Sequence, residues 1–183
     1  MALKLGIQTE FLETDGRRGV EPEKLFDRLE KDVDKKIKAV CVVHNETSTG
    51  SISRIKEVRE AINSANHNAL LMVDSISGLA SLEYKHDEWG VDVTVSGSQK
   101  GLMLPPGLSF NAISEKALFA SNENSMKRSY WDWKEQIQSN KQGSFPYTPA
   151  TNLLYGLKEA INMLHEEGLE NVFKRHDRHA QAT

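Results

Sequence analysis

The chain has 183 residues, of which 38% are hydrophobic and 27% are charged. This length and composition are typical of one soluble globular domain, and they exclude a disordered chain or a membrane protein. Its 23 basic and 26 acidic residues are interspersed and give a formal net charge of −3, so no basic surface is expected to attract nucleic acid. The first residues lack the charged start and long apolar core of a secretory signal, which predicts an intracellular protein. We expect a cytoplasmic location, or a peroxisomal one if the source is plant-like.

The first predicted elements are a strand, a helix and a second strand. Residues 5–12 alternate weakly and predict a short strand at or near a sheet edge. Pro22 is followed by an apolar face that extends to Val33, which predicts a helix. The β-branched run at residues 37–43 predicts a strand covered on both faces of a parallel sheet, and its Cys41, the single cysteine, is predicted to be a buried core thiol.

The next elements complete a β-α-β unit. Apolar residues from Ile52 to Ile62 recur every three or four positions and predict a helix. Residues 69–73 predict a buried strand that ends at Asp74, and the alternation of elements predicts a parallel pair of strands with a right-handed crossover. Residues 91–95 predict a third strand.

The direction of the fourth strand follows from the link that precedes it. Residues 108–113 form an apolar run, but the link before it is short and rich in proline. Parallel strands need a connection of about a dozen residues or more, usually helical. We therefore expect this strand to be antiparallel to the third, in an α/β fold with a mostly parallel sheet, flanking helices and one antiparallel strand.

The last third of the chain is predicted to be mainly helical. Residues 114–120 begin as a capped helix, whereas residues 121–143 are polar and predict irregular structure. Residues 150–167 predict a long helix that Gly168 ends, and residues 169–182 predict another. Thr148 and Pro149 have the residue types of a helix cap and a first helical position.

Polar residues follow three of the predicted strands, at residues 44–47, 74–75 and 96–100. Ligands of open parallel sheets bind outside the carboxyl ends of the strands, so we expect these three clusters to form one crevice.

Lys100 is the candidate catalytic residue in this crevice. A lysine after a strand is usually a solvated charge, but Lys100 lies between Gly97 and Gly101 and ahead of the apolar Leu102-Met103-Leu104. We expect partial exclusion of water there, which disfavours the ammonium form. A desolvated amine can form an imine with a carbonyl group. If that carbonyl compound contained a pyridine ring, the carboxylate of Asp74 would be placed to keep its ring nitrogen protonated. Asp74 could equally be the cap of a helix starting near residue 77.

The order and spacing of eight short motifs give the chain a specific resemblance to the class V aminotransferases. The motifs are His44-Asn45-Glu46-Thr47-Ser48-Thr49-Gly50, Val73-Asp74-Ser75-Ile76-Ser77, Ser96-Gly97-Ser98-Gln99-Lys100-Gly101, Pro105-Pro106-Gly107, Tyr130-Trp131-Asp132-Trp133, Pro146-Tyr147-Thr148-Pro149, Leu154-Tyr155-Gly156-Leu157 and Glu166-Glu167-Gly168-Leu169-Glu170-Asn171.

This resemblance implies pyridoxal 5′-phosphate as the cofactor. Lys100 resembles the lysine that forms the imine with it, and Asp74 the partner of the pyridine nitrogen. Thr47 would bond near the phenolic oxygen or the aspartate. Ile76 would pack on the ring face, and Gln99 would contact the phosphate.

The resemblance also implies a homodimer with shared sites. Thr148, and less directly Tyr147, resemble residues that reach the phosphate of the neighbouring subunit. The role of His44 is left open between covering the cofactor and making a hydrogen bond at the strand end.

Residues 1–183 resemble the central part of the cofactor-binding large domain. The phosphate-binding loop and the C-terminal small domain, with its substrate-binding arginine, have no counterpart in the chain. The chain alone is therefore expected to bind the cofactor weakly and to turn over slowly or not at all.

The implied reaction is amino transfer from an amino acid, with L-serine as the first candidate, to glyoxylate, giving hydroxypyruvate and glycine. An alanine–glyoxylate or other class V activity remains open, as does an inactive fragment that acts only through dimer contacts. A cysteine desulfurase would need a nucleophilic cysteine on a mobile loop, which Cys41 is not expected to provide.

Overall fold

The computed structural model describes residues 2–123, 126 and 128–183. In chain order its elements are a 3₁₀ helix (Ala2–Leu5), α1 (Pro22–Glu30), β1 (Ala39–Val43), α2 (Ile55–Ser64), β2 (Leu70–Asp74), β3 (Val93–Gly97), β4 (Ser109–Ile113), α3 (Glu115–Asn122), a second 3₁₀ helix (Ser129–Trp131), α4 (Trp133–Lys141), α5 (Thr151–Glu167) and α6 (Leu169–Gln181).

The four strands form one sheet in the order β1-β2-β3-β4. β1 pairs in parallel with β2 and β2 in parallel with β3, whereas β4 is antiparallel to β3. The short proline-containing link therefore reverses the chain as predicted, and the mixed α/β sheet is confirmed. The third strand is shifted by two residues from its predicted position, because it starts at Val93 and ends at Gly97.

The main core lies between the sheet and the helices α1 and α2. In α2, Ile55, Val58 and Ile62 are buried at the three- and four-residue spacing of one helical face. They pack with Leu71 and Val73 of β2. A second, smaller core contains buried residues of α5, α6 and the link before β4: Leu102, Leu164 and Val172.

A buried aspartate joins several elements at the amino end of β3. The carboxylate of Asp92 accepts a hydrogen bond from the backbone N–H of Leu71 at 2.8 Å and another from the hydroxyl of Ser114 at 3.0 Å. It also forms an ion pair with Arg59 of α2, and both side chains are largely buried. Asp92 thus connects β2, α2 and the start of α3.

We expect Asp92→Ala to lower the free energy of unfolding by about 3 kcal/mol, because it leaves a buried guanidinium and a buried N–H without their partner. Urea unfolding of the purified protein measures the change. Asp87→Ala is the matched control, since Asp87 is exposed. A loss for Asp92→Ala no larger than that of the control would contradict the role of this carboxylate.

Three sequence predictions are wrong in the first part of the chain. Residues 6–15 form no strand, because no described strand pairs with them, and β1 is the edge of the described sheet. Val33 lies beyond the end of α1 and is 84% exposed. Cys41 is exposed, because the described residues cover β1 mainly on the face that carries Val42.

Two further predictions are wrong in the second part. The segment 121–143 contains α4, whose first turn is capped by Asp132 through a hydrogen bond from the N–H of Lys134 at 2.9 Å. Thr148 does not cap α5, because that helix begins at Thr151 with Ala150 at the cap position. In the part of the chain that the structure describes, no helix has the length and apolar character that a membrane span requires.

Candidate active site

The turn that follows β2 is fixed by hydrogen bonds on both sides. Oδ1 of Asp74 accepts a bond from the N–H of Ile76 at 2.9 Å. The N–H of Ser75, which is fully buried, donates to the carbonyl of Val95 in β3 at 2.9 Å. Residues 76–81 form turns rather than a helix, so Asp74 is not a helix cap. Its side chain is exposed at the carboxyl end of β2.

His44 holds the end of β1 against this turn. Its N–H donates to the carbonyl of Asp74 at 2.8 Å. Its ring is 4% exposed and lies 5.2 Å from the ring of Tyr84 and 6.2 Å from that of Trp89, measured between centroids. A Cβ at Gly78 would lie 2.7 Å from Nδ1 of His44, so the absence of a side chain at position 78 permits this close approach.

The His44 ring is therefore a packing group. Burial lowers the pKa of His44, which keeps the ring neutral at pH 7. Its Nδ1 atom has no hydrogen-bond partner among the described residues. One of the two roles left open for His44 was a hydrogen bond at the strand end. Nδ1 does not make that bond, and the ring is enclosed by other side chains.

One direct hydrogen bond joins the loop after β1 to the turn after β2. The hydroxyl oxygens of Thr47 and Ser77 are 2.7 Å apart, and either can donate. Thr47 is one of the site residues predicted from the sequence, whereas the sequence predicts no role for Ser77. The signal available in the sequence was its place in the motif that also contains Asp74 and Ile76.

The loop that carries Lys100 is closed at its base by Ser98. The buried Ser98 hydroxyl donates to the carbonyl of Pro105 at 2.8 Å and accepts from the N–H of Leu108 at 3.2 Å. A Cβ at Gly101 would clash with the carbonyl oxygen of Leu79. The Lys100 loop therefore touches the turn that follows Asp74.

The three strand-end clusters thus lie side by side at one edge of the sheet. Lys100, Asp74 and Gln99 all have exposed side chains there. The carboxamide of Gln99 lies over Gly97, where a Cβ would come within 2.7 Å of Oε1. The exclusion of water that was expected around Lys100 does not occur in the described structure, because Leu102 turns into the core while Met103 is exposed.

This edge carries several of the groups that would hold pyridoxal phosphate. Among the described residues, the amine of Lys100 makes no hydrogen bond or ion pair, and one oxygen of Asp74 remains without a partner. A free amine, a carboxylate oxygen and the exposed amide of Gln99 are therefore available together. The residues present fit the cofactor.

Tyr147 and Thr148 are both exposed at the surface. The ring of Tyr147 is 4.9 Å from that of Tyr130, measured between centroids. The side chain of Thr148 is exposed. Within the described ranges 2–123, 126 and 128–183, neither side chain makes a hydrogen bond or ring contact with the Lys100 loop. Their role in a neighbouring subunit remains a prediction.

Comparison with known proteins identifies the family. The model of the family described as Aminotransferase class-V matches residues 1–183, and the chain belongs to this family. It is 50% identical to the serine–glyoxylate aminotransferase of Methylorubrum extorquens over 100% of the chain and 47% of that protein. It is 41% identical to the L-aspartate–glyoxylate aminotransferase of Paracoccus denitrificans over 97% of the chain and 45% of that protein.

The fold comparison gives the same result. The crystal structure of an alanine–glyoxylate aminotransferase from Nostoc sp. superposes with a TM-score of 0.85 at 28% identity, over 99% of this chain and 48% of that one. The chain therefore spans about half the length of the relatives it matches. Membership of this family supports pyridoxal phosphate as the cofactor.

Proposed function

We propose that the complete protein carrying this chain is a pyridoxal-phosphate-dependent aminotransferase that converts L-serine and glyoxylate into hydroxypyruvate and glycine. The observation that carries the proposal is that the amine of Lys100 makes no hydrogen bond or ion pair among the described residues and lies at the same edge of the sheet as the exposed carboxylate of Asp74, in a chain of the class V family. The backbones of the two segments approach each other closely where Gly101 meets the carbonyl of Leu79.

Lys100 has two tasks in this proposal. Its Nζ would hold the cofactor covalently. With substrate bound, its amine would accept the proton from the α-carbon of the substrate and return a proton in the later step, as general base and acid. When bound, pyridoxal phosphate supplies the electron sink for the charge that develops at the α-carbon. The side chain of Lys100 is exposed and makes no hydrogen bond or ion pair with any residue that the structure describes, so it has the freedom that both tasks need.

Asp74 keeps the pyridine nitrogen protonated. The N–H of Ile76 engages one carboxylate oxygen at 2.9 Å, which orients the group and leaves the other oxygen for the nitrogen. In the same proposal, Ile76 packs on the ring, Gln99 binds the phosphate, and Thr47 donates to the phenolic oxygen. Gln99 is in the Lys100 loop, Ile76 is in the turn that this loop approaches at Leu79, and Thr47 is joined to the same turn through Ser77.

The complete active site includes groups from elsewhere. Residues 1–183 are the central part of the cofactor-binding large domain in this proposal. The phosphate loop and the arginine that binds the substrate carboxylate come from the rest of the complete protein. In the same proposal the protein is a homodimer, and Thr148 and Tyr147 of each subunit reach the phosphate bound by the other. A cytoplasmic location and a place in glyoxylate metabolism belong to the same proposal.

The choice of amino donor rests on the relatives. Glyoxylate is named as the acceptor for both of the relatives quoted above, whereas the donors in their names are serine at 50% identity and L-aspartate at 41% identity. Serine is therefore the first candidate donor. Alanine is the alternative, because the name of the Nostoc structure gives that donor and its fold matches over nearly the whole chain.

A panel of donors tests this choice. With glyoxylate as acceptor, we expect kcat/KM for L-serine to exceed that for L-alanine and L-aspartate by about tenfold or more, a difference of about 1.4 kcal/mol in transition-state binding. Glycine formation measures the rates. A preference for alanine or aspartate would replace the substrate assignment. No transamination with any donor, in protein that carries the cofactor, would favour the alternative of an inactive protein that acts through dimer contacts.

A further inference from the structure

We infer that Ser77 is a positioning residue that sets the direction of the Thr47 hydroxyl toward the cofactor. The inference rests on the proposed function, because it assumes that pyridoxal phosphate binds at this edge of the sheet. It starts from the hydrogen bond of 2.7 Å between the two hydroxyl oxygens.

Thr47 differs from the other hydroxyl residues of its loop in where its hydrogen-bond partner lies. The hydroxyl of Ser48 donates to the carboxylate of Glu46 at 2.8 Å, and the hydroxyl of Thr49 lies 2.9 Å from that of Ser51. Both bonds stay within the loop. Thr47 instead reaches across to the turn that follows the neighbouring strand, where its partner is Ser77.

The two segments are held at this spacing by contacts on either side of the Thr47–Ser77 bond. The N–H of His44 donates to the carbonyl of Asp74, and the His44 ring fills the space beside Gly78. Ser77 is the residue immediately before Gly78, so the packing of His44 fixes its approach to Thr47. The hydrogen bond is consequently part of a junction between two strand ends that several contacts define.

The chemistry of a hydroxyl group gives the bond its effect. A threonine hydroxyl has one hydrogen to donate and two lone pairs to accept with. If Thr47 donated to Ser77, it would have no hydrogen left for the cofactor. If Ser77 donates to Thr47, the Thr47 hydrogen is free for an ionised phenolic oxygen. The two bonds then form a chain in which each strengthens the other.

The measurable consequence is the pH titration of the bound cofactor. A donor at the phenolic oxygen favours the form of lysine-bound cofactor that carries more negative charge, which is the deprotonated form. Removing the Ser77 hydroxyl weakens this donor, so the pH midpoint of the visible absorbance band should rise. We expect a rise of about 0.5 unit in Ser77→Ala, because a neighbouring hydrogen bond is weakened rather than lost.

The experiment compares five variants of the complete protein loaded with pyridoxal phosphate: Ser77→Ala, Ser77→Thr, Thr47→Val, the double variant of Thr47→Val with Ser77→Ala, and Ser48→Ala. Ser77→Ala should raise the midpoint, and Ser77→Thr, which keeps a hydroxyl, should retain the wild-type value. Ser77→Ala should add no further rise in a Thr47→Val background. Ser48→Ala is the matched control, since that hydroxyl bonds within the loop, and it should leave the midpoint unchanged.

The outcomes separate this inference from the proposed function. If the wild-type protein forms no absorbance band of lysine-bound cofactor, the proposed function fails and this inference fails with it. If the band forms but its midpoint is the same in Ser77→Ala, only the positioning role is overturned. The same conclusion follows if Ser48→Ala raises the midpoint equally, or if Ser77→Ala shifts the titration in the Thr47→Val background.

Discussion

Replacing Lys100 by alanine should lower the rate of serine–glyoxylate transamination by about 10³-fold or more, because the substitution removes the group that moves the α-proton. It should also abolish the visible absorbance band of lysine-bound cofactor and the covalent labelling of the chain after borohydride reduction. The rate is measured as glycine formation, and the labelling by the mass of the peptide that contains residue 100.

Two further variants make this result specific. Lys100→Arg keeps the positive charge but not a nucleophilic amine, since a guanidinium stays protonated at neutral pH, and it should be as inactive as Lys100→Ala. Lys158→Ala removes an exposed lysine of α5 and should keep wild-type activity. A reducible adduct that persists in Lys100→Ala would show that another amine holds the cofactor, and the central assignment would then be lost.

The arrangement of the strands was predictable because it depends on local pattern and chain length. The apolar runs at β1 and β2 with a helix between them indicated a parallel pair, and the link of residues 98–108 was too short for a helical crossover. The convergence of Thr47, Asp74 and Lys100 at one edge then followed from the rule for ligand sites in open sheets. None of these steps required knowledge of side-chain contacts.

The errors concern features that depend on neighbours distant in sequence. A strand at residues 5–12 needs a strand to pair with, and burial of Cys41 needs a layer over the second face of β1. Neither condition can be deduced from the local pattern. The helix α4 was missed for a different reason, because its cap at Asp132 was not recognised within a segment of mostly polar residues.

The partners of the polar side chains in the candidate site also could not be predicted from the sequence. Ser77 became a candidate only when its hydroxyl was found 2.7 Å from that of Thr47. Likewise, the sequence left two roles open for His44, and the structure shows a ring packed against Tyr84 and Trp89. Hydroxyl and imidazole groups accept several kinds of partner, so their residue type predicts little about which partner is chosen.

Asp74→Asn should lower kcat/KM by about 10³-fold, which corresponds to about 4 kcal/mol of transition-state stabilisation. A neutral amide cannot hold the pyridine nitrogen in its protonated state, and the ring then accepts electrons poorly. The fold should be preserved, because the amide oxygen of asparagine can still accept the hydrogen bond from Ile76 that Oδ1 accepts at 2.9 Å. Thermal unfolding of the cofactor-free protein should therefore resemble that of the wild type.

The comparison with Asp74→Glu decides whether charge or geometry is responsible. Glutamate restores the negative charge but is longer by one methylene group, so it should recover part of the activity that asparagine loses. Asp87→Asn, at an exposed aspartate on the turn before β3, is the control for a general loss of negative charge. If Asp74→Asn retains more than about a tenth of wild-type kcat/KM, a difference under 1.4 kcal/mol, the carboxylate does not sustain the protonated nitrogen. Asp74 would then serve this edge only through its bond to the turn that carries Ile76 and Ser77.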